Sequence, residues 1–573
     1  MRLKLVKLIY YSFIFLILIR LFYWQIIRFD DMSAMAEKQH LSTSSLSAPR
    51  GIIYSEDGGI YATNKPVYTL FSNPTLIKDK KTAVGELANI LALAKIEPTD
   101  TDYKKQLINI REALNNKLNQ NLSWVALERN IELETKKSIE SLKIPGIGFD
   151  ENSARLYPES SSAANILGFV GLDKIGNPKG YFGIEGYYDR QLTGVKGEIT
   201  EEKDAEGLPI LMGTFSLQDS KKGYDLTLNI DRGVQYIVEK KLKLGLEKYG
   251  AKSGSVVVMD PFTGAILAMA TFPNYDPNDY TNYPKDSFKN LVVADSYEPG
   301  STFKTLIMAA GINENVVKPE TICDETCEGP VAIGEYKIRT HDNKYRKKET
   351  MQDVITQSDN TGMVFVGRKL GEDKVFDYIQ RFGIGKLTQV DLEDEITPDL
   401  RLRKDWKEID YATATFGQGI AVTPIQMVKA VASIANGGYL MEPHVVKNIN
   451  TKNKISEIKP KIVGNPISKE TAYTVKEMMV KAVDEGEAGG YAPKNYKIAG
   501  KTGTAQIPIA GHYDATKYVA SFVGFAPADN PKFIMLVRYV EPTSSIYGTS
   551  TAAPTFFEIA KELFSYYQIT PDR

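Results

Sequence analysis

The spacing of apolar and polar positions changes several times along this chain. It opens with an almost unbroken apolar run, LIYYSFIFLILIRLFYWQII, from Leu8 to Ile27. About 20 residues rising about 1.5 Å each span about 30 Å, the thickness of a bilayer core. Residues 8–27 are therefore expected to form a transmembrane helix. Arg2, Lys4 and Lys7 precede the run, and Tyr23 and Trp24 stand near its far end. That order predicts a cytoplasmic tail over residues 1–7 and an extracytoplasmic position for everything after Ile27. A cleaved signal peptide is the rival reading, with Ala34-Met35-Ala36 as a loose cleavage site. The apolar run is longer than such a peptide needs, and Arg28, Asp30 and Asp31 intervene. Arg20 falls inside the span, where it either snorkels outward or faces a polar group of a membrane partner.

Beyond the anchor the pattern becomes mixed. Residues 28–50 are polar and predict a short stalk. From Pro49 to about Asp219, LFSNPTL reads as strand and turn, TAVGELANILALA and ELETKKSIESLKI have helical spacing, and GLDKIGNPKGYFGIEGYYD is rich in turn residues. Nothing in residues 28–219 has catalytic spacing, so a structural or interaction domain is expected there. Residues 220–573 follow a different plan. YDLTLNI alternates like a strand, and a helical pattern begins near Arg232. SGSVVVMD (Ser253–Asp260) and AILAMAT (Ala265–Thr271), joined by PFTG, predict a hairpin. Three more strand-like runs, YKIAGKTGTAQI, KYVASFVGFA and KFIMLVRYV, come only near the end, ahead of a closing helix, TAAPTFFEIAKELFSYY. The region between reads as mainly helical. Five strands divided between the two ends of one segment predict a single sheet closed by sequence-distant strands.

Composition narrows the function. Among 573 residues, 70 Lys+Arg stand against 71 Asp+Glu, which leaves no global basic field for nucleic acid. An apolar content of 43% and an aromatic content of 10% suit folded protein. The two cysteines, Cys323 and Cys327, are compatible with a small local disulfide and equally with two free thiols. None of the four histidines lies close to that pair, and no HExxH or GxSxG is present, so neither a zinc hydrolase nor a Ser-His-Asp hydrolase is expected. No cofactor or metal is predicted.

Three short motifs carry chemistry, in this order: Ser301-Thr302-Phe303-Lys304, Ser358-Asp359-Asn360 and Lys501-Thr502-Gly503-Thr504. SxxK, SDN and KTG in sequence are shared by penicillin-binding proteins and class A β-lactamases. Pro299 and Gly300 break the chain ahead of an apolar helical run, which puts Ser301 at a helix N-terminus, where developing negative charge is favoured. Lys304 lies one turn on and can act as the base for the serine hydroxyl if burial or a neighbouring charge, such as Lys501, lowers its pKa. Ser358 is a candidate proton relay, and the Asn360 amide can bond substrate backbone or Lys304. Lys501, Thr502 and Thr504 are candidates for holding a substrate carboxylate. Gly503 permits close approach, and the backbone N–H groups of Ser301 and Thr504 are oxyanion-hole candidates.

With those motifs the chain resembles a class B penicillin-binding protein over nearly its whole length. APRGIIYSEDG (Ala48–Gly58), RLYP (Arg155–Pro158), GIEGYYDRQLTG (Gly183–Gly194), MATFPNYDPN (Met269–Asn278) and FGQGIAVTPIQM (Phe416–Met427) match family patterns as well. No room remains before Pro49 for the glycosyltransferase domain of class A, and no appended sensor repeat is expected. The resemblance implies an α+β fold: a transpeptidase domain with a five-stranded antiparallel sheet, an elongated α+β pedestal (dimerisation) domain, and one transmembrane helix. It implies peptidoglycan stem peptides ending in D-Ala-D-Ala as substrate, an acyl-enzyme on Ser301 and inhibition by β-lactams. It also implies a polytopic glycan-polymerising membrane glycosyltransferase and other cell-wall machinery as partners. FGQGIAVTPIQM points to the septal, cell-division branch over the elongation branch.

Two rival functions compete with that reading. A β-lactamase would need a deacylating base after SDN. There Glu393, Asp394 and Glu395 read as a solvated loop, with Thr397 where class A enzymes have asparagine. A β-lactam sensor would carry further membrane helices or a signalling domain, and a degenerate scaffold would have lost one of Ser301, Lys304, Ser358, Asn360 or Lys501.

Overall fold

The computed structural model describes residues 2–98, 100–202, 210, 215–451, 453–509 and 512–573. Its first element is a helix, Arg2–Phe22, followed by a wider turn at Tyr23–Ile27. Leu3–Ile27 is long and apolar enough to cross a membrane, and its apolar side chains are exposed along its length. The polar stalk is more ordered than its composition suggests. Phe29–His40 is helical, with Asp30 and Asp31 in the first turn, where the helix dipole favours them. Leu41–Leu46 is a strand antiparallel to Gly197–Glu202.

The chain divides into two compact units. The first comprises residues 1–50, 66–154 and 193–223. Its core lies where Leu70, on the later part of the strand Ile60–Ser72, and Leu127, on Val125–Ile131, meet the helices Lys80–Lys95, Tyr103–Leu118 and Leu133–Ser141. Leu87 and Leu91, and Leu114 and Leu118, are among the buried helical contributors, each pair at the i, i+4 spacing that keeps it on one face, and Ile139 joins them from the third helix.

The second unit comprises residues 51–65, 155–192 and 224–573. Its centre is an antiparallel five-stranded sheet in the order Ile266–Phe272, Ser253–Met259, Phe533–Val540, His512–Ala526, Ala499–Ile509. The sheet therefore joins a hairpin from residues 253–272 to three strands from residues 499–540, as the sequence predicts. The closing helix Ala552–Tyr566 and the helix Arg232–Tyr249 share a second buried cluster with sheet residues such as Val256, Phe522 and Val537. The helices carrying the first two motifs contribute to the principal core.

Two early segments are built into this second unit. Ile53–Tyr54 pairs in parallel with Asp225–Leu228. Arg155 donates to Glu185 at 2.6 Å in a fully buried ion pair. Tyr188 donates to the buried Asp391 carboxylate at 2.9 Å, which also accepts from Val445 N and Val446 N. Such a charge is tolerable in a dry interior only with its acceptors filled. Cys323 and Cys327 are joined by a disulfide, which resolves the two open readings of that pair.

Candidate active site

The site forms where a helix start, a turn and a sheet edge converge. Gly300–Phe303 is a tight turn that runs directly into the helix Lys304–Asn313. Ser301 sits in the turn, and Lys304 is the first residue of the helix. FGQG supplies the other side of the turn. Gly300 N donates to Gly417 O at 3.0 Å, and a Cβ on Gly417 would lie 2.3 Å from Gly300 O. Only glycine fits there, and its φ of +78° suits glycine too. The rest of that motif starts a helix, Pro424–Ala435, with Thr423 and Gln426 forming a capping box and Pro424 at the first position.

The third motif lies on Ala499–Ile509, an edge strand of the sheet, as expected. A Cβ on Gly503 would approach Ser521 Oγ to 2.5 Å and Thr302 Cγ2 to 2.8 Å. Gly503 thus lets the sheet edge close onto the serine turn. The second motif is a turn in which Ser358 adopts φ of +60°. Asp359 then caps the helix Asn360–Leu370, its Oδ1 accepting from Thr361 N at 2.6 Å and Gly362 N at 3.2 Å.

These elements open a cleft of about 360 Å³. Ser301, Ser358, Asn360, Lys501, Thr502 and Thr504 line it; Lys304 and Gly503 lie behind its wall. Lys304 is fully buried and donates to Ser358 O at 2.5 Å and Ser358 Oγ at 3.3 Å. Lys501 Nζ donates to the same Ser358 Oγ at 3.0 Å, and also reaches Thr502 O and Thr502 Oγ1 at 3.3 Å. Ser358 Oγ is therefore shared by the amino groups of two lysines. Burial, followed by the charge of Lys501, holds Lys304 well below the usual lysine range. Burial brings Lys501 down to about 8.

Asn360 takes a different partner from Lys304. Its Nδ2 donates to Arg339 O at 2.8 Å, tying the helix to the hairpin Val331–Ile338 and the residues after it. The acidic run after SDN also differs from the solvated loop expected. Glu393 accepts from Phe182 N, and Glu395 accepts from Thr388 N, Thr388 Oγ1 and Gln389 N, so both carboxylates hold backbone in place. Neither lines the cleft; Glu487 is the one carboxylate among its described lining residues.

Sequence reasoning missed several groups around the site. Glu298, three residues before Ser301, accepts from Gly419 N and Tyr513 OH, and burial pushes its carboxyl up to about 7. Glu349 and Asp359 are buried together close to Lys304. A lone glutamate in the charged stretch RKKET gives no local signal of burial.

A serine at a helix start, a desolvated lysine one turn on and a second lysine on a sheet edge define a serine acyl-transferase without a Ser-His-Asp triad. Comparison with known proteins gives this class a family. Residues 254–562 match the penicillin binding protein transpeptidase domain, and residues 45–228 match the penicillin-binding protein dimerisation domain. The chain is 32% identical to stage V sporulation protein D of Bacillus subtilis over 559 residues, 96% of this chain and 83% of that protein. It is 30% identical to the peptidoglycan D,D-transpeptidase FtsI of Escherichia coli over 560 residues, covering 96% and 90%. A crystal structure of a peptidoglycan synthetase from Bifidobacterium adolescentis superimposes with a TM-score of 0.72 at 26% identity, covering 93% of this chain and 98% of that one. Penicillin Binding Protein 2X from Streptococcus thermophilus shares the fold, with a TM-score of 0.73 at 23% identity and coverage of 91% and 80%. The chain belongs to the penicillin-binding protein transpeptidases, which are serine-type D,D-transpeptidases.

Proposed function

We propose that the chain cross-links peptidoglycan stem peptides through an acyl-enzyme on Ser301, with Lys304 as its base. The observation that carries this reading is the pair of lysines meeting on one hydroxyl, Lys304 Nζ at 3.3 Å and Lys501 Nζ at 3.0 Å from Ser358 Oγ. Uncharged Lys304 takes the Ser301 proton as Oγ attacks the carbonyl carbon of the penultimate D-Ala. The oxyanion is held by the N–H groups of Ser301 and Thr504, each such donor contributing about 3 kcal/mol to barrier lowering. The C–N bond then breaks, the proton passes from Lys304 through Ser358 to the leaving nitrogen, and D-Ala departs. An amine of a second stem attacks the ester, returns a proton by the same route and releases Ser301. Lys501, Thr502 and Thr504 hold the terminal carboxylate, Gly503 lets their strand close onto the Ser301 turn, and Asn360 orients the donor backbone. β-Lactams acylate the same serine.

The N-terminal helix anchors the chain, residues 1–7 are cytoplasmic, and the catalytic unit works outside the membrane. Residues 28–219 serve as the stalk and pedestal and residues 220–573 as the transpeptidase domain, except that 51–65 and 155–192 pack into the unit of residues 224–573. The partner is a polytopic membrane glycosyltransferase that polymerises glycan, and the role is septal; the names of the sporulation and FtsI relatives support that branch. Labelling with a fluorescent penicillin, followed by peptide mapping, tests the assignment. The adduct is expected on Ser301 and absent from Ser301→Ala; an adduct on another serine overturns it.

A further inference from the structure

Two buried carboxyl groups lie close to the lysine proposed as base. Glu349 is 3% exposed and Asp359 is 1% exposed. Asp359 spends Oδ1 on capping the Asn360–Leu370 helix, through Thr361 N, Thr361 Oγ1 and Gly362 N. Its Oδ2 is buried and meets no donor among the described residues, and the same is true of both Glu349 oxygens. Two buried carboxylates cannot sit together ionised without a large cost, whereas one proton between them supplies the missing donor.

We propose that Glu349 and Asp359 share a single proton, and that this acid pair is a positioning element that holds Ser358 and Lys304 in register. The inference rests on the assignment of Lys304 as the base. Asp359 directly follows Ser358, whose backbone is held in the left-handed region and whose carbonyl accepts the 2.5 Å bond from Lys304. Fixing Oδ2 of the capping aspartate therefore fixes the turn that presents Ser358 to both lysines. On the other side, Glu349 is anchored through its carbonyl, which accepts from Cys323 N at 2.8 Å beside the disulfide.

The charges around the pair set the sign. Burial, then Asp359 and to a lesser degree Asp353, raise the Glu349 carboxyl to about 8 against the opposing charge of Arg346. Burial and then Lys501 lower the Lys304 pKa, and Asp359 and Glu349 oppose them. When Glu349 loses the proton at alkaline pH, two buried negative charges repel each other beneath the Ser358 turn. The same added charge draws a proton back to Lys304. Both effects lower the rate of serine acylation.

The test is the pH profile of the acylation rate constant, measured on the full-length chain in detergent with a saturating β-lactam reporter, so that Lys501 is already engaged. The unmodified protein is expected to lose rate as pH rises through about 8. Glu349→Gln keeps a donor for Asp359 and cannot ionise, so its alkaline limb is expected to move up by on the order of one pH unit or more. A uniform loss of rate with an unmoved limb would overturn the proposal, because a merely structural glutamate gives that result. Infrared difference spectra of the unmodified protein supply a second measurement that needs no folded variant. A protonated-carboxyl band that disappears above about pH 8 is expected, and its absence at neutral pH overturns the proposal. Failure of the base assignment looks different: Lys304→Ala would then still acylate.

Discussion

Arg538 donates to Asp295 Oδ2 at 2.6 Å, fastening the middle of the sheet to the loop that leads into Ser301. Arg538 has no exposed surface and lies over the Tyr297 ring at 5.1 Å. Its Nε and Nη1 already lack acceptors, so Asp295 is its principal compensation. Removing one partner of a buried pair leaves the other charge uncompensated, at about 3 kcal/mol or more. Asp295→Asn is expected to lower the melting temperature by several degrees and to slow penicillin labelling, while Ser301→Ala should leave the melt unchanged. A melt for Asp295→Asn equal to that of the unmodified protein would show that the pair is dispensable.

Ser358→Ala should separate positioning from proton transfer. The Lys304 bond to the Ser358 carbonyl survives the substitution, but the hydroxyl shared by the two lysines is lost. Acylation should fall by about 10²–10⁴-fold, the usual worth of a positioned proton-transfer group. Stopped-flow acylation at saturating reporter checks this, and a loss below tenfold removes Ser358 from the proton route.

Lys501 gives a pH dependence in binding. Burial lowers its pKa to about 8, so it is charged below that value and neutral above it. A carboxylate needs the charged form. The reporter concentration for half-saturation should therefore rise as pH climbs through about 8. Lys501→Arg stays charged throughout, so its half-saturation should remain flat, whatever its absolute rate. A flat profile in the unmodified protein would count against Lys501 as the carboxylate anchor.

The penicilloyl adduct should be long-lived. Hydrolysis of the ester needs a water held by a general base. Glu487 is the one carboxylate among the described cleft residues, and its side chain is 73% exposed. Glu393 and Glu395 are committed to backbone N–H groups elsewhere. Mass spectrometry should find the adduct on Ser301 after many minutes, and Glu487→Gln should not change its lifetime. Rapid turnover would favour the β-lactamase reading.

A chain beginning near Lys221 should not fold by itself. It would lack Ile53–Tyr54 beside Asp225–Leu228, the Arg155–Glu185 pair and the Tyr188 donor to Asp391. Leu226 and Leu228, both fully buried, would lose apolar neighbours such as Ile53 and Ile184 from their cluster. Circular dichroism should give no cooperative melt, and penicillin labelling should be absent. A folded, labelled fragment would show that residues 51–65 and 155–192 are dispensable to that unit.

The hydrophobic pattern made much of this legible. Short apolar, strand-like runs bounded by turn residues marked the central strands, and their split between residues 253–272 and 499–540 is visible because each run is long enough to stand out. The three motifs were legible through residue type and order. The pairing of Ile53–Tyr54 was not, since two residues carry no periodicity and the partner lies far along the chain. Glu349 was equally silent. Its burial depends on a neighbour ten positions away across the short helix Met351–Thr356, and its flanking lysines read as surface. The stalk helix Phe29–His40 was masked by polar composition, which gives no apolar stripe to detect.

The strand Ala499–Ile509 closes the sheet on the side of the cleft, and among the described residues its outer edge has no neighbour of the kind that every inner strand possesses. Such an edge is a template that any extended peptide can extend, including a strand from another copy of the same chain. Lys501, buried and directed at Ser358, and Pro508, which has no amide hydrogen to offer, make it a poor partner for a generic strand. Under the function proposed above, what it still accepts is a short peptide ending in a negative charge that answers the lysine. On that reading the residues proposed to hold the donor also guard against self-association, so a change at Lys501 that weakens drug capture should be watched for a second cost, in solubility.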